Sequence, residues 1–127
     1  MLNQTILLLA SDQVTREVIR EALESAGYSV LPAGDIGRAV DALKTSTPDL
    51  LLVRDYIESM SGHDAAVYLR TICNGMPVLI VGGTIHDDRL ENREILHGFE
   101  VFPKPFAAAE LLTKVKEVLA KRQQNRR

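Results

Sequence analysis

The side chains of this sequence that could carry chemistry stand where short apolar runs stop. They are Ser11, Asp12, Arg54, Asp55 and Lys104. Carboxylates are the ligands that a hard cation such as Mg²⁺ prefers, whereas arginine and lysine donate hydrogen bonds to phosphate and carboxylate groups. The set therefore contains donors for a metal site and donors for an anion site. Which chemistry it supports depends on which of these residues the fold brings together.

Other reactive residue types form no pattern. His63, His86 and His97 are far apart and lack a partner at helical ligand spacing, so we expect surface loop histidines and no metal site. Cys73 is the single cysteine, which excludes an internal disulfide, and we expect it to be a small buried residue. No base is recognisable around Ser11 or Cys73, so we predict no enzymatic activity.

Apolar runs and helical patterns alternate five times along the chain. The predicted strands cover residues 6–9, 28–31, 50–53, 78–81 and about 101–102. The predicted helices carry residues 14–26, 36–43, 66–73, 90–96 and 107–120. Such alternation is typical of a parallel sheet with helices on both faces, because right-handed crossovers place them there. We predict a single doubly wound α/β domain, flavodoxin-like and (βα)5, with a five-stranded parallel sheet in the order 2-1-3-4-5.

Individual residues mark the boundaries of these elements. Val14 and Val18 recur at helical spacing on the face of the first helix that we expect to be buried, and Ser11 or Asp12 is its expected N-cap. Asp35 is expected to cap the second helix in the same way. The second strand is predicted to close at Pro32, and the third to be followed by a loop.

In sheets of this type, ligands meet the carboxyl ends of the strands, at the point where the strand order reverses. The residues at those ends are Ala10, Ser11 and Asp12, then Arg54 and Asp55, then Gly82 and Gly83, then Pro103, Lys104 and Pro105. The function of the chain is therefore decided by a small set of strand-end residues.

The composition excludes several broad classes of function. The 127 residues carry 15 basic and 17 acidic side chains, and the formal charge of -2 gives no general attraction to nucleic acid or anionic membrane. The apolar run 6–10 is too short to span a bilayer and follows no positive segment, so we expect a cytoplasmic protein. We expect one domain over residues 1–120 and a basic, solvated tail over residues 121–127.

Five segments together resemble the response-regulator receiver domain family (CheY-like). They are ILLLASD at 6–12, PDLLLVRD at 48–55, MSG at 60–62, MPVLIVGG at 76–83 and FPKPF at 102–106. Their order and spacing make the resemblance specific, and it extends from Ile6 to about Leu119. It implies phosphotransfer to an aspartate at the end of the third strand. It also implies an acidic pair that holds a divalent ion, a hydroxyl residue after the fourth strand and a lysine after the fifth.

Most of the family's functional positions are altered in this chain. The acidic pair falls on Ala10 and Ser11, which cannot hold a hard cation as carboxylates do, and the hydroxyl position falls on Gly82. Lys104 and Pro105 match the family's lysine–proline pair, whose peptide bond is cis in relatives, so we expect it to be cis here. We therefore expect no cofactor, with Mg²⁺ as the alternative.

The phospho-acceptor position can be located from both sides. The family places it six residues after a proline and eight before a glycine, and Pro48 and Gly62 both point to Arg54. Asp55 fits only if the strand slips by one residue, which reverses the facing of its side chains. Asp12 lies one residue after the acidic-pair positions. It is expected to be an N-cap, and the alternative is that it is a displaced metal ligand. The chain is thus predicted to lack the acceptor aspartate.

The two cations at the strand ends require a counterion. At about 5 Å apart, Arg54 and Lys104 would repel by about 3 kcal/mol at an effective dielectric of about 20. An internal bridge to Asp12, Asp55 or Glu58 is our first hypothesis, and an external anion such as phosphate or a nucleotide is the alternative.

We predict a receiver-like module of a bacterial two-component phosphorelay that acts by phosphorylation-independent protein–protein interaction. The predicted partner surface is the face of the fourth helix, the fifth strand and the fifth helix, with a homodimer as one option. Contact with membrane, or with nucleic acid by this chain alone, is not expected. One alternative is a phosphorylatable receiver with Asp55 as acceptor and Asp12 on Mg²⁺. The other is an anion-binding sensor at Arg54 and Lys104.

Overall fold

A parallel sheet flanked by helices forms the centre of the molecule. The computed structural model describes residues 4–82, 100–102 and 108–124. The strands are β1 (Thr5–Leu9), β2 (Ser29–Ala33), β3 (Leu50–Arg54), β4 (Tyr56–Ile57), β5 (Met60–Ser61), β6 (Val78–Val81) and β7 (Glu100–Phe102). The helices are α1 (Gln13–Ser25), α2 (Ile36–Thr45), α3 (Gly62–Ile72) and α4 (Ala108–Gln124). The predicted α/β fold with a parallel sheet is confirmed.

The sheet runs in the order β2-β1-β3-β6-β7, and every neighbouring pair in it is parallel. The apolar strand residues alternate between two hydrophobic clusters. Leu7, Leu9, Leu51 and Val53 pack with residues of α2 and α3. Ile6, Leu8, Leu50 and Leu52 pack with residues of α1 and α4. Each such buried aliphatic side chain contributes about 1.5–3 kcal/mol relative to exposure, so the sheet is held from both faces.

Side-chain caps begin the first three helices. Asp12 accepts the backbone N–H of Thr15 at 2.8 Å, and Asp35 accepts that of Arg38 at 2.8 Å. Of the two candidates for the first cap, Asp12 and not Ser11 takes the position, and the predicted cap Asp35 is confirmed. Ser61 caps α3 in the same way, a cap that the sequence analysis did not identify.

Pro32 does not end the second strand, as the sequence suggested, but lies within β2. Proline has no backbone N–H to donate, so it is normally confined to strands at the edge of a sheet. β2 is such a strand, because β1 is its only partner in the described sheet. The prediction was wrong because edge position is a property of the whole sheet.

The exposed face of α1 also differs from the prediction. Val14 and Val18, which we expected to be buried, are 72% and 59% exposed, whereas Ile19 and Leu23 are buried against the sheet and α4. The helical period identified the helix correctly. Which of its apolar stripes is covered depends on how the helix is rotated over β1 and β2, and that rotation is set by packing.

The segment after β3 is more ordered than the predicted loop. β4 and β5 form an antiparallel hairpin, and α3 begins at Gly62. His63 is therefore a buried helical residue, 3% exposed, and its assignment to a surface loop was wrong. Cys73, expected to be buried, is partly exposed.

The C-terminal elements are described in part. The last helix ends at Gln124 instead of the predicted Ala120, so it continues into the basic segment. The predicted helix at 90–96, the two histidines His86 and His97, and the pair Lys104–Pro105 with its expected cis bond lie outside the described residues.

Gly62 provides a test of how tightly the hairpin packs. A Cβ atom on Gly62 would overlap the backbone carbonyl oxygen of Arg54, whereas a Cβ on Gly37 would meet only a carboxylate oxygen of Asp35, at 3.5 Å. We expect Gly62→Ala to lower the free energy of unfolding by about 2–3 kcal/mol, because backbone must move. Gly37→Ala, the matched control, should raise it by about 0.5–1 kcal/mol through helix propensity. Urea unfolding measures both, and equal stability of the two variants would contradict this packing.

Candidate functional site

The carboxyl ends of β1 and β3 lie side by side. Leu9 pairs with Val53 in the parallel register, so the next residues, Ala10 and Arg54, stand at neighbouring positions on one edge of the sheet. The backbone N–H of Ala10 donates to the carbonyl of Ala33 at 3.1 Å, which joins the end of β2 to the same edge. The strand-end residues predicted for the first and third strands are therefore together. This edge is where ligands meet doubly wound sheets.

Arg54, which the sequence predicts to stand at the acceptor position, ends β3. Its side chain is 17% exposed, and its Nε atom is buried without a hydrogen-bond partner. The nearest carboxylate oxygen recorded for it is Oδ1 of Asp55, 3.7 Å from Nε. That distance is an ion pair and is too long for a hydrogen bond. Arg54 thus carries a mostly buried charge, and within the described residues its one ion pair is loosely placed.

Asp12 lies within the electrostatic range of Arg54, but its carboxylate is hydrogen-bonded at the start of α1. One carboxylate oxygen, Oδ2, accepts the backbone N–H of Thr15 at 2.8 Å and its hydroxyl at 2.6 Å. These two hydrogen bonds lower the pKa of Asp12 below its ordinary value, and the charges of Arg54 and Arg16 act in the same direction. The carboxylate is exposed, so the charges act on it through solvent.

A second guanidinium, which the sequence analysis did not identify, lies at the same edge. Nη1 of Arg16 donates to the carbonyl oxygen of Ala10 at 2.8 Å and approaches that of Ser11 at 3.4 Å. Arg16 stands four residues after the N-cap Asp12, one helical turn further along, so its long side chain can fold back over the loop. That spacing was the available signal.

Glu58, one of the three candidate counterions, makes a different contact. Its Oε1 atom accepts the backbone N–H of Ile36 at 2.8 Å, which ties the β4–β5 hairpin to the N-terminus of α2. Glu58 also has a positive φ of 56°, which is uncommon for a residue with a side chain. Of the three candidates, the structure therefore places Asp55 against Arg54 and directs Glu58 to a helix terminus.

The end of β6 closes the other side of the site. The backbone N–H of Asp55 donates to the carbonyl of Val81 at 3.0 Å, and Gly82 follows with a φ of 97°. A residue with a side chain is strained at that φ, so a serine or threonine hydroxyl at position 82 would require a different backbone conformation. Lys104, the retained lysine of the family pattern, lies outside the described residues.

The residues of this edge do not fit a divalent cation. Ala10 and Ser11 supply no carboxylate, Asp12 is bonded to Thr15, and Asp55 faces the guanidinium of Arg54. Across the described ranges 4–82, 100–102 and 108–124, no three His, Cys, Asp or Glu side chains come together as a metal site. The arginine at the end of β3 would repel a cation placed there.

Solved structures show the class of fold. One similar structure is a CheY-like response regulator receiver domain protein from Methanospirillum hungatei JF-1. The alignment covers 97% of this chain and 98% of that one, with a TM-score of 0.86 and 22% identity. Another is the chemotaxis protein CheY4 of Vibrio cholerae. The alignment covers 92% of this chain and 99% of that one, with a TM-score of 0.80 and 20% identity. At such identities the likeness establishes the CheY-like fold.

The sequence establishes the family. The response regulator receiver domain family matches residues 6–116, and the chain therefore belongs to it. Response regulator MprA of Mycobacterium avium (strain 104) is 31% identical over 116 residues, which are 90% of this chain and 50% of that protein. Response regulator MprA of Mycobacterium tuberculosis (strain ATCC 25177 / H37Ra) matches with the same identity and coverage. The chain spans about half the length of these curated relatives.

The helices in the described part of the chain include none that is both long enough and apolar enough to cross a bilayer.

The ion pair at the site can be tested against a matched pair on the surface. Arg54–Asp55 and Lys44–Asp41 both have an N–O distance of 3.7 Å, but the first pair is 17% and 27% exposed and the second 68% and 76%. We expect Arg54→Ala to lower the free energy of unfolding by about 1–2 kcal/mol, through lost packing of the side chain and an unpaired Asp55. Lys44→Ala should change it by less than about 0.5 kcal/mol. An unchanged Arg54→Ala midpoint in urea would rule out a stabilising internal bridge.

The lowered pKa of Asp12 predicts how the stability of the protein falls at acid pH. A carboxyl whose pKa is lower in the folded state stabilises the protein above its unfolded pKa, and this contribution is lost as pH falls through the folded value. We expect Asp12→Asn, which can still cap α1, to lose stability less steeply than the wild type below about pH 4. Asp41→Asn, at an exposed carboxylate within α2, is the control. Thermal unfolding from pH 7 to pH 2 would show parallel curves for wild type and Asp12→Asn if the idea is wrong.

Proposed function

We propose that this chain is a receiver-like signal-transduction module that acts in a bacterial two-component system without aspartyl phosphorylation. The observation that carries the proposal is the Arg54 guanidinium, 83% of whose side-chain surface is covered, at the position of the acceptor carboxylate. In this proposal residues 1–120 form the receiver-like domain, and the basic residues 121–127, the first four of which continue α4, follow it. Its five sheet strands, counted along the chain, have the order 2-1-3-4-5, which is β2-β1-β3-β6-β7 in the labels used above.

The chemistry of phosphoryl transfer explains why this substitution matters. Transfer to a carboxylate requires the attacking oxygen to approach a phosphoryl group whose charge is neutralised, usually by a metal ion on further carboxylates. Here the acidic pair is Ala10 and Ser11, and a guanidinium stands at the acceptor position. Asp55 is the remaining carboxylate at the end of β3, and its charge is already stabilised by Arg54 at 3.7 Å. A carboxylate paired with arginine is a weaker nucleophile.

A receiver that is not phosphorylated can still act as a binding surface. We propose that the partner is a protein and that it contacts the face built by the fourth predicted helix, β7 and α4. A second copy of this chain is the alternative partner at that face. The function is then non-enzymatic, and its location cytoplasmic. The relatives that carry the name response regulator are about twice as long as this chain. This proposal therefore concerns the receiver-like domain and not the output function of a longer protein.

The direct test is incubation with a small-molecule phosphodonor and Mg²⁺, followed by intact-mass measurement. We expect no phosphoryl adduct, because neither Arg54 nor the arginine-paired Asp55 serves as acceptor. A receiver with the full set of carboxylates, treated in parallel, shows that the donor is active. Light scattering on the same samples should give the same molecular mass before and after treatment.

An adduct would reverse this conclusion in a defined way. If a phosphoryl group appears on the wild type and is lost in Asp55→Asn, the chain is a phosphorylatable receiver that uses Asp55, with Asp12 as the candidate metal ligand. Asp49→Asn, at a carboxylate that accepts the N–H of Thr5 at the opposite end of the sheet, is the control for nonspecific labelling.

A further inference from the structure

The Arg54 side chain, at the end of β3, has a buried donor without a hydrogen-bond partner. A guanidinium offers five N–H donors, yet Nε of Arg54 is buried without a hydrogen-bond partner, and its recorded ion pair to Asp55 is longer than a hydrogen bond. A buried donor without a partner loses the hydrogen bonds that water would give it. In folded proteins such groups usually have a partner, which can be an ordered water or an ion.

The surroundings of Arg54 favour an anion as that partner. Arg16 adds a second guanidinium at the same edge, and its Nη1 atom is bonded to carbonyl oxygens and not to a carboxylate. The N-terminus of α1 also lies at this edge of the sheet, and helix N-termini carry partial positive charge. The nearby carboxylate of Asp12 is held by Thr15, and that of Glu58 by the N-terminus of α2.

We propose that Arg54 binds a phosphate-type oxyanion at the carboxyl edge of β1 and β3, reversibly and without forming a covalent bond. The planar guanidinium donates two parallel hydrogen bonds to two oxygens of one oxyanion, a geometry that a lysine does not offer. Two guanidinium groups and a helix N-terminus attract a doubly charged phosphate more strongly than a singly charged carboxylate. The 17% of the Arg54 side chain that is exposed leaves a route for a small ion from solvent.

This inference goes beyond the proposed function and does not depend on it. The proposed function concerns a covalent adduct and a protein partner, whereas the anion site concerns a reversible ligand of one arginine. A mass adduct and a reversible resonance shift are separate readouts, so either idea can fail while the other stands.

Asp55 is the natural competitor of the bound anion. Its carboxylate lies 3.7 Å from Nε of Arg54 and places a negative charge beside the ligand. Removing that charge while keeping the shape of the side chain should therefore strengthen anion binding. This gain of affinity in Asp55→Asn is expected even though the variant loses the ion pair to Arg54, and it distinguishes a true site at Arg54 from a merely structural role of the pair.

The experiment is a titration of the full chain, followed by NMR at the Arg54 and Arg16 side-chain Nε–Hε resonances. Inorganic phosphate and a phosphate monoester are the two ligand arms, which distinguish free phosphate from the phosphoryl end of a larger molecule. Acetate tests the carboxylate class, and sodium chloride at matched ionic strength tests simple screening. The variants are Arg54→Gln, Arg54→Lys and Asp55→Asn, with Lys44→Gln as a control that removes an exposed charge on α2.

We expect a saturable shift with phosphate, weakened about tenfold in Arg54→Gln because a charge-assisted hydrogen bond is lost. Arg54→Lys should weaken it as well, Asp55→Asn should strengthen it, and Lys44→Gln should leave it unchanged. An equal response to chloride, equal affinity for acetate, or no shift at all would overturn the proposal. If Arg54→Gln does not fold, the Asp55→Asn affinity decides: a value equal to or weaker than the wild type overturns it.

Discussion

The central strands β1 and β3 are buried on both faces, and this constraint decides where charge can lie in the molecule. Every side chain from Ile6 to Leu9 and from Leu50 to Val53 is fully buried, because helices cover the sheet from both sides. A charged group within either strand would lose its hydration without a partner. Charge is therefore confined to the strand ends. The register that pairs Leu9 with Val53 brings the carboxyl ends of the two strands together.

At that edge the chain keeps the fold of its family, and β3 ends in a guanidinium. In the proposed function this guanidinium takes the acceptor position, and an apolar and a neutral residue replace the acidic pair. Two carboxylates, Asp12 and Asp55, and two guanidiniums, Arg16 and Arg54, lie around the edge, and of these Asp55 forms an ion pair with Arg54 whereas Asp12 is hydrogen-bonded to Thr15. The fold tolerates this exchange because its stability comes from the two apolar clusters. The backbone contact between Gly62 and Arg54 also uses no side-chain chemistry of residue 54.

The same edge links several otherwise separate elements. The Glu58 carboxylate connects the β4–β5 hairpin to the start of α2, and the Asp55 backbone joins the end of β3 to the end of β6. Arg16 connects α1 to the loop that follows β1. These contacts connect the edge around Arg54 to two helices, α1 and α2, and to β6.

The sequence by itself determined the class of fold, the family and the positions of the strand ends. Apolar runs and caps such as Asp12 and Asp35 are local signals, because each depends on residues within one or two helical turns. The spacing from Pro48 to Gly62 located Arg54 for the same reason. The tertiary structure alone decided that Val14 is exposed, that His63 is buried and that Arg16 reaches the site. Each of these depends on how one element is rotated or placed against another, which no local spacing encodes. The counterion of Arg54 was also decided by the tertiary structure. The sequence offers Asp12, Asp55 and Glu58 as equal candidates, and they differ only in the bonds that the fold allows them to make.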